Sequence, residues 1–111
     1  MTNIFERAKK AAHSLSRAHI IQPILRDIRR GKEEVTYNGR RGVNFRTLKE
    51  NIEIIAEAGA AYHGFPADVL GADYGSDIEM TGKRIKISGG TLKLFYKACE
   101  KLENDIPNLF D

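Results

Sequence analysis

The segment from Ile78 to Ser88 reads IEMTGKRIKIS and alternates apolar with polar residues on both sides of Gly82-Lys83. This alternation is typical of half-buried β-strands, and a two-residue connection that begins with glycine fits a type II′ hairpin turn. The turn fixes the register, which pairs Met80 with Ile85, Ile78 with Ile87 and Glu79 with Lys86. The first two pairs share one face and the oppositely charged pair lies on the other. The segment therefore predicts an antiparallel hairpin with one buried face.

Four amphipathic segments accompany the hairpin and predict helices. In each of them apolar residues recur at intervals of three and four, as on the buried face of a helix. Pro23 suits the first turn of a helix, and Gly31 suits a helix end. The predicted helices are Asn3 to about Ala18, about Pro23 to Arg30, Asn44 to His63, and Thr91 to Glu103. A short strand is predicted at Val35 to Tyr37, before an exposed turn at Asn38-Gly39.

Together these elements predict an α+β fold with about four helices and a small antiparallel β-hairpin sheet, in a single compact domain spanning residues 1–111. The sheet is expected to be the 77–88 hairpin, with the 34–37 strand as a candidate addition. Since the apolar face of one hairpin is too small to be stable by itself, we expect the third and fourth helices to cover it. The tail, residues 104–111, is expected to be flexible or to dock on the body or on a partner.

The single cysteine and the lack of long apolar runs constrain the class of protein. Cys99 has no partner for an internal disulfide, and it falls on the predicted buried stripe of the last helix, where cysteine behaves as a small hydrophobe. No apolar run approaches the roughly 18 residues that span a bilayer, and residues 1–10 do not resemble a secretory signal. We therefore expect a cytoplasmic protein with no membrane attachment.

The sequence contains no recognisable catalytic, cofactor or metal motif, so we expect a non-enzymatic protein without a cofactor. Asp73 would open an EF-hand loop, but the sixth and twelfth positions counted from it hold Ile78 and Arg84. The segment Ser88 to Thr91 leads from a strand into a helix, where free N–H groups can bind an anion. It lacks the Walker and Rossmann patterns, so an ordinary helix cap with flexible glycines is the favoured interpretation.

Charge is unevenly distributed along the chain. Residues 1–49 contain 12 Lys or Arg and 4 Asp or Glu, a charge of +8, whereas residues 50–111 contain 6 and 11, a charge of −5. Such asymmetry is typical of a surface that faces a polyanion. It is equally typical of two halves that attract each other, and the sequence leaves both explanations open.

Basic residues in and after the second predicted helix form the strongest candidate site. Arg26, Arg29 and Arg30 lie at helical spacing and form one stripe. Arginine pairs with phosphate oxygens through two parallel hydrogen bonds, and a tyrosine ring offers a surface for base stacking. The candidate residues for binding nucleic acid or an acidic partner are Arg26, Arg29, Arg30, Lys32, Tyr37, Arg40, Arg41, Arg46, Lys83 and Arg84.

The leading hypothesis from the sequence is a regulatory protein that binds a polyanion, most favourably nucleic acid, through its basic first half. One alternative is a protein-binding inhibitor or adaptor that occludes an acidic partner surface, and another is a small homo-oligomeric structural protein. A winged-helix arrangement with Lys83-Arg84 at the wing tip is disfavoured. Its recognition segment, Pro66 to Tyr74, contains Asp68 and Asp73 and no basic residue.

Overall fold

A computed structural model of the chain describes residues 3–17, 19–38, 44–63 and 71–107. Within these ranges it contains five helices and three strands, which confirms the predicted α+β class. In chain order they are α1 (Ile4–Arg17), α2 (Ile21–Arg29), β1 (Glu34–Asn38), α3 (Phe45–His63), α4 (Tyr74–Asp77), β2 (Ile78–Thr81), β3 (Arg84–Ser88) and α5 (Gly89–Asp105).

The three strands form one antiparallel sheet in the order β1-β3-β2. The register of β2 and β3 is the predicted one, with Ile78 opposite Ile87, Met80 opposite Ile85 and Glu79 opposite Lys86. Gly82 in the turn between them has φ +60°, as the first central residue of a type II′ turn requires. The predicted hairpin sheet is incomplete, however, because β1 pairs with the other edge of β3.

One face of the sheet is buried and the other faces solvent, but Met80, predicted on the buried face, is 37% exposed near the end of β2. Val35, Ile78, Ile85 and Ile87 are each at most 3% exposed and join the main core. Apart from the short α4, which lies beside β2 and β3, the helices that lie against this sheet are α2, beside β1, and α5, beside β3. We expected α3 to cover the sheet together with α5. α3 packs chiefly against α5 and α1 instead, and α2 covers the sheet in its place.

Helix boundaries follow the predicted ones where a capping side chain is present. Asn44 Oδ1 accepts the N–H groups of Arg46 and Thr47 at 3.0 and 3.2 Å, and α3 begins immediately afterwards. α2 begins at Ile21, two residues earlier than predicted, and so contains Pro23 in its first turn. Proline is tolerated there because the N–H that it lacks would have no partner within the helix.

The beginning of α5 depends on a carboxylate from α4, a helix that the sequence pattern did not predict. Asp77 Oδ2 accepts Thr91 Oγ1 at 2.7 Å, the Thr91 N–H at 3.2 Å and the Asp73 N–H at 3.0 Å. It thus takes the place of a capping side chain on the first turn of α5. Gly89 has φ +63°, and a side chain there would meet the Asp77 carboxylate. α5 consequently starts at Gly89, two residues earlier than predicted.

The central packing contact joins α3 to α5. Gly59 of α3 is buried directly against the backbone carbonyl of Leu94 in α5, and a Cβ at this position would overlap that carbonyl. α1 lies antiparallel to α3 on another side, because Phe5 stacks near Tyr62 while Ser14 accepts a hydrogen bond from Asn51. Glycine therefore sets the distance between the two longest helices of the core.

Replacing Gly59 with Ala is expected to destabilise the protein by about 2 kcal/mol or more, because overpacking outweighs the gain in helix propensity. Urea unfolding at neutral pH measures the effect. Ala61 is exposed two residues further along the same helix, and the Ala61→Gly control should lose only about 1 kcal/mol. A Gly59→Ala variant more stable than the wild type would contradict the close packing.

Asp77 is expected to make stability dependent on acid pH. Partial burial alone would raise the pKa of Asp77, but hydrogen bonds from Asp73 and Thr91 outweigh it and lower the pKa. The stabilisation is therefore complete above the unfolded value of about 3.9 and is lost as pH falls through the folded value.

In urea titrations, Asp77→Asn should cost about 1–2 kcal/mol at pH 7, with the difference from wild type shrinking towards pH 3. The control is Glu100→Gln, which removes the same charge from an exposed position on α5. A constant difference between wild type and Asp77→Asn across this pH range would contradict the capping role.

Candidate functional site

The predicted arginine stripe lies at the C-terminal end of α2, where cations also complement the helix dipole. Arg29 already contacts other residues of the fold. Its guanidinium lies 3.2 Å from Glu103 Oε2 on α5, and the hydrogen bond with Tyr96 is the main cause that raises the pKa of Arg29. Arg29 therefore links α2 to α5 and is less available to a ligand than its neighbours.

Three other predicted cations of this region are available. Arg26, Arg30 and Lys32 are exposed, and no carboxylate within the described ranges lies at ion-pair distance from them. Arg26 and Arg30 are four residues apart and share one side of the end of α2. This part of the predicted site therefore presents exposed cations without ion pairs in the described ranges. A pocket beside Lys32 is lined by three carboxylates, Asp27, Glu33 and Glu34.

An open groove of about 720 Å³ lies between the end of α2 and the first turns of α5. It is lined by Ile28, Lys32, Glu33, Glu34, Ser88, Gly89, Leu92, Lys93, Tyr96 and Lys97. Lys93 and Lys97 are exposed, without a carboxylate partner in the described part of the chain. The sequence places both on an exposed edge of the last helix, but only the fold brings that edge opposite Lys32.

Two further predicted cations lie at the other end of the sheet. Lys83 and Arg84 are exposed at the β2–β3 turn, and Arg84 pairs with Asn38 at the end of β1. Arg40 and Arg41 follow Asn38 in the sequence but lie outside the described residues. Arg46, in the first turn of α3, is within 3.7 Å of Glu50.

The structure thus separates the predicted basic surface into two groups. The first group, on and after α2, consists of Arg26, Arg29, Arg30 and Lys32 and precedes the first residue of β1. The second group, the Lys83-Arg84 turn, lies beside the last residue of β1. The two ends of β1 are four residue steps apart, which is about 13 Å. On the solvent face between them, Lys86 Nζ lies 3.6 Å from Glu34 and 3.4 Å from Glu79. Both glutamates raise the pKa of Lys86, and the charge of Glu34 is the largest single cause. The positive charge in the middle of the solvent face is therefore balanced by carboxylates.

Tyr37 occupies a different environment from the exposed one that base stacking requires. It lies opposite Ile85 on the core-facing side of β1, and its ring is partly buried against the core. The aromatic residue that does line the groove is Tyr96, which the sequence pattern did not single out.

The predicted anion site at Ser88 to Thr91 is filled from within the chain. Asp77 already accepts the N–H and hydroxyl of Thr91, whereas the Ser88 side chain makes no capping hydrogen bond, so this cap differs from the ordinary local one that was favoured. Cys99 is fully buried, and burial raises the pKa of its thiol, so this group is protonated and shielded from reagents.

Several sequence-based hypotheses concern segments outside the described ranges. Residues 66–70 of the winged-helix recognition segment are among them, and so is the end of the tail, residues 108–111. Within the described ranges, no helix combines the length and apolarity needed to cross a membrane. The same ranges bring no three His, Cys, Asp or Glu side chains together in a group able to bind a metal ion.

No protein family, curated protein or solved structure shows significant similarity to the chain.

Proposed function

We propose that the protein is a non-enzymatic regulatory domain that binds nucleic acid through the α2–α5 groove and the adjoining end of α2. The observation that carries this proposal is that three exposed lysines line one groove, Lys32 after α2 and Lys93 and Lys97 on α5. Arg26 and Arg30 add two exposed charges on the adjoining end of α2.

The charge balance at the groove favours an anionic ligand. Two glutamates line the groove. Glu34 lies beside Lys86, whereas Glu33 has no cation within ion-pair distance among the described residues. Three lysines line the same groove. Clusters of this kind bind phosphate backbones because each contact releases condensed counterions into the solvent.

A double variant separates this surface from positive charge in general. Arg30→Ala/Lys32→Ala removes two charges beside the groove, whereas Arg7→Ala/Lys10→Ala removes two exposed charges from α1. The groove variant should bind labelled DNA roughly tenfold more weakly at low salt. Its slope of log affinity against log salt should fall by about 1.4–1.8, since each phosphate contact contributes about 0.7–0.9.

Fluorescence anisotropy over a salt series measures both quantities. The α1 variant should retain the wild-type affinity and slope. Equal losses in the two variants would indicate non-specific attraction, and absence of binding by the wild-type protein at low salt would overturn the proposal.

A second candidate function is occlusion of an acidic protein surface. The observation that favours it is the apolar floor of the groove, formed by Ile28, Leu92 and Tyr96, which suits an apolar side chain of a partner. A pull-down from lysate treated with nuclease discriminates the two functions. A partner that is retained after nuclease, and lost in Arg30→Ala/Lys32→Ala, supports the protein-binding alternative.

A further inference from the structure

We propose that the α2–α5 groove accepts an unstacked nucleotide, so that the protein prefers single-stranded to duplex nucleic acid. This inference rests on the proposed function and specifies its substrate. The feature behind it is the combination of an aromatic and aliphatic floor with lysines on both walls. A site that recognised only a phosphate backbone would require the lysines but not the floor.

The floor of the groove has the composition of a base-binding surface. Tyr96 provides an aromatic ring, with Leu92 one turn earlier on α5 and Ile28 opposite on α2. Aromatic rings bind bases by stacking, with little dependence on sequence. The volume of about 720 Å³ lies in the range of small-ligand sites, which is ample for one nucleotide.

The Tyr96 ring is held in place before any ligand arrives. Tyr96 lies close enough to Arg29 to raise the pKa of that guanidinium, and Arg29 lies 3.2 Å from Glu103 Oε2. The ring also packs against the core from its partly buried position. A ring fixed in this way loses little conformational freedom on binding, which favours stacking.

The lysines are placed to contact the backbone on either side of a base. Lys32 belongs to the segment that leads from α2 to β1, whereas Lys93 and Lys97 lie on α5 across the groove. In a duplex the bases are stacked and paired, so the phosphates can reach these lysines but no base can reach the floor. In a single strand a base can turn out of the stack and enter the groove.

The test compares a single strand of about 12 nucleotides of thymidine with a duplex of the same length, a size within the range that single-strand binding modules cover. Fluorescence anisotropy with the wild-type protein should give at least about tenfold tighter binding to the single strand. Tyr96→Leu should lose about tenfold on the single strand and leave duplex binding unchanged, because stacking is worth this much per base.

Two further variants control for the loss of a tyrosine. Tyr96→Phe keeps the ring and should retain the wild-type preference for the single strand. Tyr62→Leu removes a partly buried tyrosine of α3 that does not line the groove, and it should bind both probes as the wild type does. Should Tyr96→Leu fail to fold, Ile28→Trp changes both the space and the stacking surface of the groove and is expected to change binding of the single strand alone.

The outcomes separate this inference from the proposed function. Equal wild-type affinity for the two probes, with no effect of Tyr96→Leu or Ile28→Trp, would overturn the nucleotide-binding groove and leave nucleic-acid binding intact. Failure of both probes to bind would overturn the two together. Binding of a labelled peptide of alternating Glu and Leu in place of either probe would overturn both in favour of an acidic protein partner.

Discussion

The fold depends on the close approach of α5 to α3, which is possible because Gly59 has no side chain where the Leu94 carbonyl lies. This contact fixes the position of the helix that carries most of the proposed site. Asp77 then fixes where α5 begins, and burial of Ile24 and Leu25 in the core holds α2 in place, with Arg29 and Glu103 in contact at the surface. A groove between α2 and α5 follows from these three constraints, since both helices approach the same sheet and Ser88 and Gly89 line one end.

The two explanations for the charge asymmetry of the chain both apply, in different places. The two halves of the sequence do form ion pairs with each other. In one pair the first half supplies the cation, Arg29, to Glu103, and in another it supplies the carboxylate, Glu34, to Lys86. These exposed pairs contribute little to stability individually. Exposed cations without ion pairs at the end of α2 are joined there by lysines of α5, so the surface that we propose to be functional draws on both halves of the sequence.

Local patterns predicted the elements of the fold, and only contacts distant in sequence assembled the site. The turn at Gly82-Lys83 specified the register of β2 and β3 because a two-residue turn leaves no freedom in strand alignment. α4 and the early start of α5 were missed because they depend on Asp77, fourteen residues from Thr91. Tyr37 was taken as exposed, whereas its place opposite Ile85 puts it on the core side. The sequence does indicate this position of Tyr37, because residues two apart in a strand share a face and Val35 is on the buried one.

Mapping of amide chemical shifts on titration with a single-stranded oligonucleotide tests the central claim most directly, because it locates the contact surface without any substitution. The account predicts the largest changes at Lys32, Lys93, Tyr96 and Lys97, with small changes in α1. Changes concentrated at Lys83 and Arg84, at the far end of the sheet, would contradict the assignment of the groove. No change at any residue at low salt would contradict nucleic-acid binding itself.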